Sequence, residues 1–146
     1  MANVEDIAGR ILERCGRMTT MKLQKLTFYC QAAYLGETGQ PLFDGDFQAW
    51  VNGPVSPDLF VQHRRKFFIS PGELHSRGEG LSDQQRGIVD SVCDKLGEFT
   101  PNELVAKTHR EDPWREARGD FDTETRSEVI IPRAAIEEYY RANPVV

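Results

Sequence analysis

Apolar positions recur with a helical period over most of this chain. Val4, Ile7, Ile11 and Cys15 fall at spacings of three and four, with Asn3 placed to cap and Gly16 to stop, which predicts a first amphipathic helix. A second helix is predicted from Thr19 or Thr20 to Leu35. Leu23, Leu26, Cys30, Ala33 and Tyr34 form one of its stripes and Phe28, Ala32 and Leu35 another, and a helix apolar nearly all round belongs in the middle of a bundle. Only its first turn, with Lys22 and Lys25, reads as polar, and Gly36, Gly39 and Pro41 then punctuate the chain.

At Phe47–Val51 the period changes to two. This predicts a short strand with Phe47, Ala49 and Val51 on one face and Gln48 and Trp50 on the other, closed by an Asn52-Gly53-Pro54 turn. Ser56-Pro57-Asp58 is a helix start, with Ser56 as cap and Pro57 in the first turn, and the helix is expected to carry Leu59, Phe60, His63, Phe67 and Phe68 as far as Ser70-Pro71. Gly72 to Gly80 reads as loop or a second short strand around Glu73–Ser76. Ser82 with Gln85, and Thr100 with Glu103, open two further helices. Residues 110–128 are polar and acidic and read as an exposed loop. Val129–Ile131 reads as extended, and Pro132 starts a last helix with Ile136, Tyr139 and Tyr140. The predicted fold class is mainly α, an α+β arrangement with a minor two- or three-stranded β element. Residues 1–146 are expected to form a single compact helical domain around a central buried helix at about 20–36.

The length of 146 residues suits one domain and permits a core without disulfide or metal staples. The formal net charge is −5, and all of the excess lies after Glu73, the first half being balanced. An acidic chain with pI near 5.2 is not built to coat nucleic acid or anionic membrane, so both are disfavoured as partners. Cys15, Cys30 and Cys93 include no Cys-x-x-Cys pair and read as reduced thiols. No run approaches a membrane span and no signal peptide is visible, which predicts a cytoplasmic protein.

Candidate chemistry is sparse. His109 near Asp112 and Trp114 invites a general-base reading, but His63, His75 and His109 lie far apart and no nucleophile motif accompanies them. His109 is better read as a helix-end histidine that bonds terminal carbonyls and packs on Trp114. No catalytic residue, cofactor or metal site is assigned. Trp50, beside the rigid Gly53-Pro54 turn, is read first as a packed core residue and second as an interface anchor. His63-Arg64-Arg65-Lys66 is the densest basic run. Together with Arg10, Arg14, Arg17, Lys22 and Lys25 it could form a positive face, or simply the solvated side of its helix.

Several of these segments occur together in one family. Leu23-Gln24-Lys25-Leu26 followed by Tyr29 and Gln31, then Pro41-Leu42-Phe43, then Ala49-Trp50-Val51-Asn52-Gly53-Pro54-Val55, then Leu104, Thr108-His109, Pro113-Trp114 and Tyr139-Tyr140, resemble the motif series of the SocA-like antitoxin domain, also called the Panacea domain. Asn52 stands where that family more often has an aromatic residue. The resemblance implies neutralisation of a cognate toxin protein by direct binding, with delivery of the toxin to the ClpXP protease in one branch. It casts Leu23, Lys25, Leu26, Tyr29, Gly53, Pro54, His109, Pro113 and Trp114 as scaffold. Gln48, Trp50, Asn52, His63, Arg64, Arg65 and Lys66 are the candidate toxin contacts. The alternative is an operator-binding regulator that uses the basic helical face.

Overall fold

A computed structural model describes residues 2–119 and 127–146 of the chain. Among the described residues, seven helices and two small antiparallel sheets follow in the order α1 (Val4–Cys15), β1 (Met18–Thr19), α2 (Thr20–Thr38), β2 (Gln48–Trp50), β3 (Gly53–Val55), α3 (Pro57–His63), β4 (Phe68–Ile69), α4 (Asp83–Leu96), α5 (Pro101–Arg110), α6 (Asp112–Arg118) and α7 (Arg133–Ala142). The mainly helical class expected from the sequence is the class observed.

Local chemistry sets the helix starts. Asn3 with Asp6, Ser82 with Gln85 and Thr100 with Glu103 form reciprocal capping boxes at α1, α4 and α5, while Thr19 and Ser56 cap α2 and α3 through one side-chain bond each. Each cap contributes about 1 kcal/mol. Helix α2 is the hub, packing against α1, α4, α5 and α7, and from Leu23 to Ala33 each of its residues is buried. Two of these are glutamines two turns apart, and both act as clamps. Gln31 donates to the Phe43 carbonyl at 2.9 Å and accepts from the Leu42 amide at 2.7 Å. Gln24 accepts from the Ser56 amide at 2.8 Å and donates to the Ser56 carbonyl at 3.2 Å. The buried amides thereby satisfy loop backbone that would otherwise be left unpaired.

An aromatic cluster fills the space between α2, α7 and the loop before β2. Phe28 meets Tyr29, Phe47 and Tyr140 edge-on at centroid distances of 5.5, 5.2 and 5.9 Å, the geometry that ring quadrupoles favour. Glu111 gathers the polar ends of this cluster. It accepts from Tyr29 at 2.5 Å and Tyr140 at 2.9 Å and pairs with Lys107 at 2.9 Å. Burial pushes both phenols well above their usual range.

Several expectations are corrected. Gly36 does not end α2, which runs on to Thr38 with Gly39 as its left-handed cap. The third helix stops at His63, because Phe68–Ile69 pair with Met18–Thr19 and the Phe67 carbonyl accepts from the Thr20 amide at 3.0 Å. Phe67 and Phe68 therefore lie on a loop and strand, not on a helix. The stretch around Glu73–Ser76 is a turn-rich loop. The acidic segment read as loop contains α6, whose Pro113 and Trp114 are buried, while residues 120–126 of that segment lie outside the described residues. Val129–Ile131 runs beside β2, with the Ala49 amide donating to the Val129 carbonyl and the Ile131 amide to the Phe47 carbonyl, each at 2.8 Å. Among the described residues no helix is long and apolar enough to cross a membrane.

Candidate functional site

The β2–β3 hairpin, the first turns of α2 and the side of α3 enclose an open, mostly apolar groove of about 460 Å³. Pairing of Trp50 with Gly53 leaves Val51 and Asn52 as the hairpin loop, and Gly53 takes a φ of 106° that few other residues adopt. Trp50 thereby projects from the sheet as one wall. Its ring meets Phe60 of α3 edge-on at 5.0 Å, and its indole N–H donates to the Gln48 side chain at 2.8 Å. Met21 and Val55 complete the apolar lining.

The floor is polar and carries no carboxylate. Lys25 is 1% exposed, and its ammonium donates to the Pro54 carbonyl at 3.0 Å. This overturns the reading of Lys25 as a solvated first-turn lysine: α2 is so deeply surrounded that even its polar edge is covered. Burial brings the Lys25 pKa down to about 7, because the ammonium has lost water and gained no countercharge. Gln24 lies 2.9 Å from Nε2 of His63, so that nitrogen accepts from the amide and the imidazole is neutral, in line with a pKa that burial lowers. The Lys25 side chain passes so close to the hairpin that a Cβ on Gly53 would sit 2.7 Å from its Cε and 2.7 Å from the Thr108 hydroxyl. Gly53 is thus a packing requirement as well as a turn residue.

Trp114, behind the hairpin, is the buried tryptophan of the pair. Its indole N–H donates to the Trp50 carbonyl at 2.8 Å, and His109 stacks flat on its ring at 3.8 Å. His109 faces the hairpin at Val51, its buried Nε2 has no hydrogen-bond partner among the described residues, and burial lowers its pKa. Trp50 itself packs on Phe60 but stays partly exposed and outside the core cluster, short of the core packing expected of it.

The candidate residues separate into groups. Trp50, Asn52 and His63 line the groove together with Lys25, and Gln48 supports Trp50. Arg64 and Arg65 are exposed on the loop after α3, Arg65 at a φ of 75°, whereas Lys66 pairs with Glu73. Leu23, Leu26, Tyr29, Pro54 and Pro113 are buried scaffold. The broad basic face does not assemble. Arg10 bonds Asp90 at 2.8 Å, Arg14 bonds Asp94 at 3.0 Å, Arg17 covers the Phe68 ring at 4.3 Å and Lys22 donates to the Gly97 carbonyl. Met21, Gln24, Val55 and Phe60 were missed as site residues. The signals were present, since Met21, Gln24 and Lys25 share a helix face at spacings of three and four, as do Phe60 and His63 at a spacing of three. Among the described residues no cluster of His, Cys, Asp and Glu could hold a metal.

A half-open apolar groove with an aromatic wall on a helical scaffold is a surface that can receive a partner or ligand. The profile of one protein family, described as "Antitoxin SocA-like, Panacea domain", matches residues 23–115, and the chain belongs to that family. The chain is similar to Antitoxin SocA of Caulobacter vibrioides (strain NA1000 / CB15N), at 27% identity over 125 residues, covering 74% of this chain and 66% of that protein. No solved structure gives a significant match.

Proposed function

We propose that the chain is a cytoplasmic antitoxin that neutralises a cognate toxin protein by direct binding, and that the toxin docks in the groove beneath Trp50. The observation that carries the docking site is the half-buried Trp50 ring set against Phe60 over an open cavity. Large aromatics in such settings supply most of the energy of protein interfaces. The split of the basic residues among α4 carboxylates, a ring face and a helix-end carbonyl weighs against the operator-binding alternative.

The test is co-expression with the toxin encoded beside this chain's gene. Growth should be rescued and the two proteins should co-purify, with both effects lost in Trp50→Ala. Failure of the unaltered chain to rescue growth or to form a complex overturns the reading. Delivery of the toxin to ClpXP, the finer expectation from the resemblance, needs a second surface outside the groove. Phe67 and Phe68 are 72% and 45% exposed and offer one. In a reconstituted degradation assay, Phe67→Ser with Phe68→Ser should bind toxin normally yet fail to hasten its loss. Unchanged degradation by the double variant removes this surface from the proposal.

A further inference from the structure

The groove is apolar along its walls but one-sided in charge at its floor. Lys25 of α2 disfavours positive charge on His63 of α3 and on His109 of α5. Gln24 is the other polar group of the floor, and it is already engaged with Ser56 and His63. No carboxylate lines the groove. Lys25 has three N–H donors and a single acceptor, the Pro54 carbonyl.

Next along the chain from His63, Arg64 and Arg65 are exposed and, among the described residues, hold no carboxylate. Arg65 also occupies the left-handed region, a conformation that costs a non-glycine residue energy. A buried ammonium without a countercharge is destabilising on its own account. The isolated fold thus gives the Lys25 amine one backbone carbonyl and no carboxylate, and a carboxylate brought into the groove would hold the proton on it.

The geometry points to a specific occupant: a short segment of the toxin that presents an aspartate or glutamate next to a bulky apolar side chain, the apolar group seated against Trp50 and Phe60 and the carboxylate directed to Lys25, with Arg64 and Arg65 engaging any flanking acid. This rests on the antitoxin reading above and deepens it by naming the chemistry of the epitope. Apolar walls give affinity, and the buried charge gives selectivity, since a neutral or basic segment would leave Lys25 uncompensated or repelled.

The experiment is selection of short random peptides displayed on phage against the full chain, in parallel with Lys25→Met and with Arg64→Gln/Arg65→Asn. The methionine fills the same volume and removes a buried charge, so that variant should fold at least as well as the parent, and circular dichroism checks this. Peptides enriched on the parent should pair an aromatic or leucine with Asp or Glu. The leading peptide, synthesised and labelled, should bind Lys25→Met roughly thirtyfold or more weakly. It should bind the Arg64→Gln/Arg65→Asn variant with a smaller loss that disappears at high salt. Enrichment of neutral or basic peptides, no enrichment at all, or equal affinity for the parent and Lys25→Met overturns the inference. Growth rescue separates this result from the parent reading. Rescue that survives Lys25→Met but not Trp50→Ala keeps the antitoxin and removes the acidic epitope, whereas no rescue by the unaltered chain removes the antitoxin itself.

Discussion

Lys25 is where sequence and structure differ most at the scale of one residue, and the difference has a measurable sign. In the unfolded chain a lysine titrates near 10.4, whereas in the fold burial brings Lys25 to about 7. A group whose folded pKa is depressed in this way destabilises the fold in full where both states hold the proton, and stability rises with pH wherever only the unfolded chain holds it. The penalty is largest below pH 7 and is relieved as pH rises from 7 toward 10. Stability should therefore increase with pH just above neutrality, by up to about 1.4 kcal/mol per unit. Cys30 and Cys93 act in the opposite direction, because burial and the Cys15 contact raise their pKa and stability is lost once unfolded thiols ionise near 8.5. The informative window is thus pH 7 to 8.5. Cys15 adds a smaller rise in the same window, because the Cys93 contact lowers its pKa to about 7, so in urea titrations the parent should gain stability more steeply than Lys25→Met, which should be the more stable at pH 7. Equal slopes for the two would mean that Lys25 stays charged and has found a countercharge.

At the scale of the element, α2 shows how packing overrides propensity. Gly36 reads as a helix stop, yet it lies inside α2 because a Cβ there would come within 2.7 Å of the Tyr140 carbonyl oxygen and 2.8 Å of its carbon. Helix propensity alone favours Gly36→Ala by about 1 kcal/mol. The obstructing atoms are backbone of α7, which cannot swing aside, so displacement of α7 should outweigh that gain and leave a net loss of about 1–2 kcal/mol. Thermal unfolding decides the sign, and a raised Tm would mean that α7 slides at little cost. The same contrast explains what could be read from the chain. Caps, stripes and the β2–β3 alternation are local, and Asn3, Ser82, Thr100 and the Gln48–Trp50 strand stand where their neighbours imply. The end of α3 is not local, because Phe68 and Ile69 leave the helix for partners at Met18 and Thr19. Helix α6 was hidden because a segment rich in acids buries little beyond Pro113, Trp114 and Arg118, and its start has no side-chain cap. The groove was legible only in part. Trp50 and His63 stood out, but which face of α2 lies beneath them depends on the fold.

The whole molecule divides its two tryptophans between two tasks, and this permits a test of site against scaffold. Trp114 is 5% exposed, holds the Trp50 carbonyl and carries His109 on its ring, so Trp114→Ala should cost about 3–5 kcal/mol. That is a large share of the roughly 5–15 kcal/mol available to a domain, and the variant should be poorly folded at growth temperature. Trp50 keeps part of its ring exposed beside Phe60, so Trp50→Ala should cost less than Trp114→Ala and leave a cooperative transition. Toxin at a hundred times its Kd adds about 2.7 kcal/mol to the stability of any chain that binds it. Melting each protein with and without toxin therefore separates the two roles. The parent should gain several degrees and Trp50→Ala none, although the latter is folded. A Trp50→Ala chain that still gains the full increment would place the toxin on another face, and the groove would then be a feature of the scaffold and not its binding site.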